Sequence, residues 1–576
     1  MAHTLEHFFT SKFFRIPNYQ RDYSWNVNNV DDLIDDIIEA IETKTSHYIG
    51  TFILSETDES LVYNVVDGQQ RLTTLTMLFS IAIKELASKT NKIIYRNHFI
   101  QSNETEMWKL ELLNENSDFL KSLLKGRKRK AKTNSQILLL NAYDRINIRI
   151  SELKSNGELK NKFLDMIKQL DVMEFVESDD GKAIRIFQTV NDRGQPLSNM
   201  DKAKSLLIYY SNRFLDGSLD DSINNSFGKI FHHFNDIRTI GKESKIDVIS
   251  QKRFSEDSVM RYHFLSYAND KYDYRATANY VLDDYLKKTL KDKKRDKAIL
   301  SEFIKDYVND LELFFSSFAD VMENVSKNSK YYKLFSILGL SAFLYPLLVR
   351  LEMKGLLTEI LPSSKKKTFF DLIEVADLRV YKIRGTDPAR DVSYLAKDAQ
   401  SLNIVDVENR LTKFIRNFMS DTEFNRRLGA DVYPNVGLKH LFIEYDEYLN
   451  GKKYSLKILK EINQPSDKEL SPSIEHIFPQ EARFDFPNYS FETEEEYNDK
   501  IHGLGNLTLL ENRINKQCLN KNPDQKISGG LFGESRFEDP KRISARIKNR
   551  GDSFDKNDII NRKEILTNFC LKRWRL

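Results

Sequence analysis

Glu475 and His476 open the hexapeptide EHIFPQ, and Asn506 and Asn515 bracket the segment NLTLLENRIN further along the chain. A carboxylate, an imidazole and two carboxamides are groups that phosphodiester hydrolysis asks for. One group must take a proton from water, and oxygen ligands must hold a hard cation against the charge building on the phosphorane and the leaving oxygen. His476 is the candidate base. Glu475 and Asn515 offer oxygens of the kind Mg²⁺ or Mn²⁺ accepts, with water and substrate phosphate completing an octahedral shell. Such an imidazole must be fixed in one tautomer through its other ring nitrogen, usually by a carbonyl oxygen. Asn506 stands nine residues before Asn515 and is placed to hold the backbone that does so. His502 lies just outside this pattern and reads as a structural or phosphate contact, not as the base.

The elements that must position these groups are legible around them. Ile477 and Phe478 follow His476 as an apolar pair, NLTLL is strand-like, and Asn515 heads a lysine- and asparagine-rich stretch, so the tail reads as strand, strand, helix around one cation. A single histidine in an apolar run is more often a satisfied core residue. Here the acid before it and two asparagines at this spacing argue for a hydrolytic site. The pattern EHIFPQ, GNLTLL and Asn515 resembles the HNH nuclease domain at the C-terminus of the GmrSD and SspE type of modification-dependent restriction proteins. The resemblance covers residues 461 to 576. It implies a ββα-metal fold in which His476 is the general base, Asn506 the orienting residue, and Glu475 with Asn515 the metal ligands.

A second informative segment is LVYNVVDGQQRLTTLTMLFSIAIKEL, residues 61 to 86. Apolar β-branched residues before Asp67 predict a buried strand, while Leu72, Leu75, Met77, Leu78, Phe79 and Ile81 follow helical spacing, which makes Gly68 the strand-to-helix turn. Backbone N–H groups at a helix start can point at an anion, and Arg71 reaches the same place with a fork of donors, so phosphate is the natural ligand. DGQQR is not a Walker A loop, and the chain has no GxxxxGKS or GxxxxGKT pattern. Two neighbours bear on it: FFRIPNYQRDYSW, residues 13 to 25, and IFQTVNDRGQPLSNMDKAKSLL, residues 186 to 207, in which Ser198 caps a helix with Asp201 three residues later.

With these three segments in this order, residues 1 to 225 resemble the N-terminal domain of the same restriction proteins. That domain is similar to the ParB and sulfiredoxin fold and binds a nucleoside triphosphate through DGQQR. The resemblance implies that Asp67, Gly68, Gln69, Gln70 and Arg71 line a nucleotide site, with Tyr19, Gln20 and Arg21 beside it against nucleotide or modified DNA. The competing reading makes the aromatics of PNYQRDYSW a hydrophobic staple for the next helix, whose Val30, Leu33, Ile34, Ile37, Ile38 and Ile41 form one stripe. Asn191, Asp192, Arg193 and Gly194 suit the same ligand or simply a tight turn, and receive no assignment.

Composition bounds the rest. A chain of 576 residues exceeds the size at which one core keeps growing. Hydrophobic residues at 40% and charged residues at 30% describe an ordinary globular protein. Cys518 and Cys570 are its only cysteines, which excludes a disulfide framework and a Cys-type zinc site and suits a reducing cytoplasm. The start MAHTLEHFF reads as no signal peptide. The most apolar stretch, Leu334 to Val349, is too short for a bilayer and predicts a buried helix. Apolar-periodic segments such as Phe303 to Met322 and Asn403 to Phe418 predict a helical middle region over residues 226 to 460, with boundary-like stretches at 361–367 and 464–472.

Net charge is only +3, but residues 541 to 576 hold eleven Lys/Arg against four Asp/Glu, and KGRKRKAK (125–132) and KKTLKDKKRDK (287–297) are basic runs. Each is a solvated face or part of a DNA path; Arg384 and Arg390, in the turn KIRGTDPARD, also suit DNA. The expectation is an α+β, mostly α-helical, multidomain cytoplasmic protein: a nucleotide-regulated DNA endonuclease of antiphage defence, with Mg²⁺ or Mn²⁺ and a nucleoside triphosphate as cofactors. Its partners would be DNA, from the resemblance modified phage DNA, and no membrane; a homo-oligomer is compatible with the reading. The rivals are an infection-triggered nuclease without modification dependence, and a nucleotide-gated DNA clamp with an inactive HNH fold.

Overall fold

The computed structural model describes residues 2–17, 20–112, 114–155, 157–178, 198–464 and 471–576. Tyr19 and the Asn191–Gly194 turn lie outside the described residues. Internal contacts divide the chain into two units, one of residues 1–239, 255–260 and 277–316, the other of residues 240–254, 261–276 and 317–576. Most of the chain is helical, and its larger sheet lies in the first unit, so the class is α+β.

That sheet is mixed and contains β1 (Ala2–Thr4), β2 (Phe13–Arg15), β3 (Tyr48–Glu56), β4 (Val62–Asp67), β5 (Leu110–Glu111) and β6 (Asp171–Glu177) in the order β1-β6-β3-β4-β2-β5. The central strand β3 runs antiparallel to β4 and parallel to β6, pairing Thr51 with Met173 and Leu54 with Val176. Phe52, Ile53 and Leu54 are all buried, as a strand covered on both faces requires. The Val27–Thr43 helix contributes Val30, Leu33, Ile34, Ile37 and Ile41 to the same core as Phe52, Leu75, Phe79 and Ile146. Burying each such side chain stabilises the unit by roughly 1.5–3 kcal/mol. The acidic side of that helix is not all solvated, because Asp31 accepts from Arg145 at 2.7 Å and Arg149 at 3.1 Å on the Asn134–Lys154 helix.

In the second unit the predicted single helix over 334–349 is two pieces. A helical turn over Lys333–Leu338 stops at Gly339, which sits at φ +73°, and the chain restarts through Ala342–Leu344 into the Tyr345–Met353 helix with Pro346 in its first turn. The left-handed glycine and the proline punctuate a run whose hydropathy alone is continuous. The run is nevertheless largely buried. Among the described residues no helix is long and apolar enough to cross a membrane.

Candidate active site and nucleotide cleft

Near the C-terminus, β7 (Pro472–His476) and β8 (Leu507–Glu511) form an antiparallel pair with Glu475 opposite Thr508 and His476 opposite Leu507. The Asn512–Cys518 helix follows β8 directly. Strand, strand and helix therefore occur in the predicted order, seated on a core of Ile477, Phe478, Leu510, Ile514 and Cys518. Asn506 is fully buried and staples the chain after His476: its Oδ1 accepts from Phe478 N at 2.8 Å, its Nδ2 donates to Ile501 O at 2.9 Å, and its carbonyl accepts from Ile477 N at 2.8 Å.

Strand alternation then sorts the candidates. Ser473 and Glu475 face the Asn512–Cys518 helix, where Asn515 Nδ2 donates to Ser473 Oγ at 2.7 Å and Cys518 reaches the Glu475 carboxylate. His476 turns the other way. Its Nε2 lies 3.2 Å from His502 Nδ1, its Nδ1 lies 3.3 Å from Gln480 Nε2, and the Tyr433 ring meets it edge-on at 4.5 Å. The expectation that a carbonyl holds the ring is thus replaced by a second imidazole. Burial, with His502 and Lys526 nearby, pushes the His476 pKa down to about 4, so the ring is neutral at neutral pH.

Lys526 is the residue that sequence reasoning missed here. Fully buried, it donates to Glu475 Oε1 at 2.7 Å and to the His476 carbonyl at 2.6 Å. Burial raises the Glu475 pKa while Lys526 opposes that rise. Cys518 has its thiol pushed up to about 12 by burial and by Glu475, so it remains protonated and is no metal ligand. A signal for Lys526 exists in the sequence: Asn522 and Gln525 form a capping box for the short Pro523–Ile527 helix, whose inward face carries Pro523, Lys526 and Ile527.

In the first unit Gly68 adopts φ +91° at the junction of β4 and the Gln69–Leu86 helix, as the turn reading requires. A Cβ there would stand 2.4 Å from the Phe52 ring, and one at Gly50 1.7 Å from Arg71 Nη1, so both glycines are fixed by close approach as well as by positive φ. Arg71 donates to Ile49 O at 2.8 Å and lies over Phe52 at 5.3 Å. Burial raises the Asp67 pKa and Arg71 opposes it. Gln70 bridges to the preceding loop, accepting from Ser24 N and donating to Asp22 O, and Gln20 Nε2 donates to Val66 O at 2.8 Å. Arg21 bonds Ser198 Oγ at 2.9 Å and pairs with Asp201, while burial, which would lower its pKa, is outweighed by Asp201 and Glu256. Ser198 caps the Asn199–Phe214 helix by accepting from Asp201 N, as predicted. Tyr23 is core, its hydroxyl 2.8 Å from Thr74 Oγ1. What these contacts leave open is a cleft of about 280 Å³ lined by Arg21, Asp22, Gln69, Gln70, Thr73 and Asn116, in which the buried Gln69 Oε1 accepts no hydrogen bond.

Residues 5–208 match the N-terminal domain of the GmrSD restriction endonucleases, and residues 418–569 match the C-terminal domain of the same enzymes. The chain belongs to the GmrSD restriction endonuclease family. Comparison with curated proteins gives no match. Membership makes this GmrSD-family chain a restriction nuclease with DNA as partner. It also brings Tyr433 and the Asp431–Gly503 bridge inside the matched C-terminal region, which begins well before β7.

Two further features of this GmrSD-family chain bear on charge. Much of the C-terminal positive charge is internally committed: Arg542 pairs with Glu538, Arg546 and Arg550 with Asp558, and Arg562 with Asp539. By contrast the loop at 125–132 is largely exposed, with Lys128 paired to Asp144. Glu374, His440 and Glu444 form a buried group whose ligand atoms lie within 4.8 Å of one another. Against the upward push of burial, Arg573 and His440 hold the Glu374 carboxyl down to about 2. Lys333, Lys453 and Arg573 balance the charges of Glu374, Glu444 and Glu447, and Trp574 Nε1 donates to Glu374, so the cluster works as a closed ionic network that anchors the Arg573–Trp574 tail.

Proposed function

We propose that the chain is a nucleotide-regulated, metal-dependent endonuclease acting on modified DNA in antiphage defence, by an HNH mechanism. The observation that carries this reading is the His476 turn: a neutral, buried imidazole at the end of β7, with the backbone after it stapled by Asn506. In this reading His476 takes the proton from the attacking water. Asn506 keeps the turn from relaxing, and Tyr433 shields one edge of the ring from bulk water.

Glu475 and Asn515 are the residues that would hold Mg²⁺ or Mn²⁺. Their oxygens suit a hard cation, although the ion would share the Glu475 carboxylate with Lys526. A bound ion there supplies charge neutralisation at the scissile phosphate. Excess EDTA is expected to stop cleavage and Mg²⁺ or Mn²⁺ to restore it; full cleavage in EDTA refutes the metal assignment.

The nucleotide reading, with a ParB- and sulfiredoxin-like domain over residues 1–225, draws support from the Gly68 turn and from the Gln69 acceptor facing the cleft. Residues 226–460 then relay nucleotide state to a nuclease domain over 461–576. Arg71→Ala is expected to weaken triphosphate binding about 10- to 100-fold, the range of a charged hydrogen bond; an unchanged Kd by calorimetry removes Arg71 from the site. The test of the whole reading is incubation of the purified chain with Mg²⁺, each nucleoside triphosphate in turn, and modified phage DNA beside plain plasmid. Equal cutting of both DNAs would favour a nuclease without modification dependence.

A further inference from the structure

We propose that His502 fixes the tautomer of His476, its bare Nδ1 accepting the His476 Nε2–H so that the His476 Nδ1 lone pair is the atom that takes the proton. This rests on the reading of His476 as base. The argument starts at Gln480, whose amide nitrogen lies 3.3 Å from His476 Nδ1. An amide NH₂ only donates, so that ring nitrogen accepts. A neutral imidazole with an accepting Nδ1 carries its proton on Nε2, and the atom 3.2 Å from Nε2 is His502 Nδ1. His502 must then hold its own proton on Nε2. One proton order satisfies both contacts.

The surroundings hold His502 to this task. Val432 N and Tyr433 N donate to its carbonyl at 3.1 and 3.3 Å, and the Tyr433 ring stacks on its imidazole at 5.7 Å with an interplanar angle of 11°. His502 also closes the Glu494–Ile501 helix and leads through Gly503 to Asn506. The same short segment thus secures both the ring of His476 and the backbone behind it. His502 acts through His476 and is a positioning residue.

The experiment uses the full chain with ¹⁵N-labelled histidines and cleavage assays on modified DNA. In the parent chain His476 should show a protonated Nε2 and an unprotonated Nδ1; in His502→Ala the two tautomers should mix, and kcat should fall about 10- to 100-fold with KM for DNA unchanged. His502→Asn, whose Oδ1 can accept the same N–H, should recover most of the rate. His476 protonated on Nδ1 in the parent, His502→Ala at the parental rate, or a folded His502→Asn as slow as His502→Ala each overturns the proposal. The base reading is checked apart from it, because His476→Ala cleaving normally would fail that reading and this inference together, whereas an inactive His476→Ala beside a fully active His502→Ala fails this inference alone.

Discussion

His476→Ala is expected to cleave DNA about 10²- to 10⁴-fold more slowly than the parent chain, the contribution of a positioned general base, with triphosphate affinity unchanged. The structure argues that this variant isolates the chemistry. The backbone contacts of residue 476 survive truncation of its ring: its carbonyl still accepts from Lys526, and Ile477 N still donates to Asn506 O. Strand pairing with Leu507 is likewise a main-chain matter. What is lost is one imidazole, together with its contacts to His502, Gln480 and Tyr433. The measurement is single-turnover cleavage beside calorimetric triphosphate titration. Cleavage within a few-fold of the parent would eliminate His476 as the base and favour the DNA-clamp rival.

The sequence announced this site because its main determinants are local. A polar pair at a strand end, an alternating NLTLL and an asparagine at the right offset need no knowledge of the fold, and β7, β8 and the following helix lie where those patterns put them. The Gly68 turn was legible for the same reason. Lys526 was not, since its partner Glu475 is 51 residues earlier and the intervening segment has no shared period. Tyr433 lay outside the expected nuclease boundary at 461, yet its backbone is tied to His502. The ion pair of Arg21 with Asp201 spans 180 residues and commits a side chain that sequence had offered to nucleotide or DNA. Sheet order is equally non-local: β6 inserts between β1 and β3, and nothing in the pattern of either neighbour specifies it. Periodicity reports which face of an element is buried, not what it is buried against.

Arg562→Ala is expected to destabilise the β7–β8 region by about 3–5 kcal/mol, the cost of stranding a buried charge. Arg562 and Asp539 are both buried and joined by two bonds, Nη1–Oδ1 at 2.7 Å and Nη2–Oδ2 at 3.0 Å. The same guanidinium donates to Gly505 O at 3.1 Å and Leu507 O at 2.9 Å, the carbonyls on either side of Asn506, and Asp539 also accepts from Thr508 Oγ1 on β8. Gly505 permits this approach, because a Cβ there would lie 2.0 Å from Ile559 O on the Lys556–Arg573 helix. Removing the arginine leaves an unpaired carboxylate and two carbonyls without this donor beneath the turn that carries His476. Amide hydrogen exchange in β7 and β8 should accelerate by roughly two to three and a half orders of magnitude, and cleavage should fall with it. The double variant Asp539→Leu/Arg562→Met should cost less than Arg562→Ala, since it removes both charges while keeping apolar volume. Unchanged β7 and β8 protection in Arg562→Ala, or a double variant worse than the single, would mean that this ion pair does not brace the site.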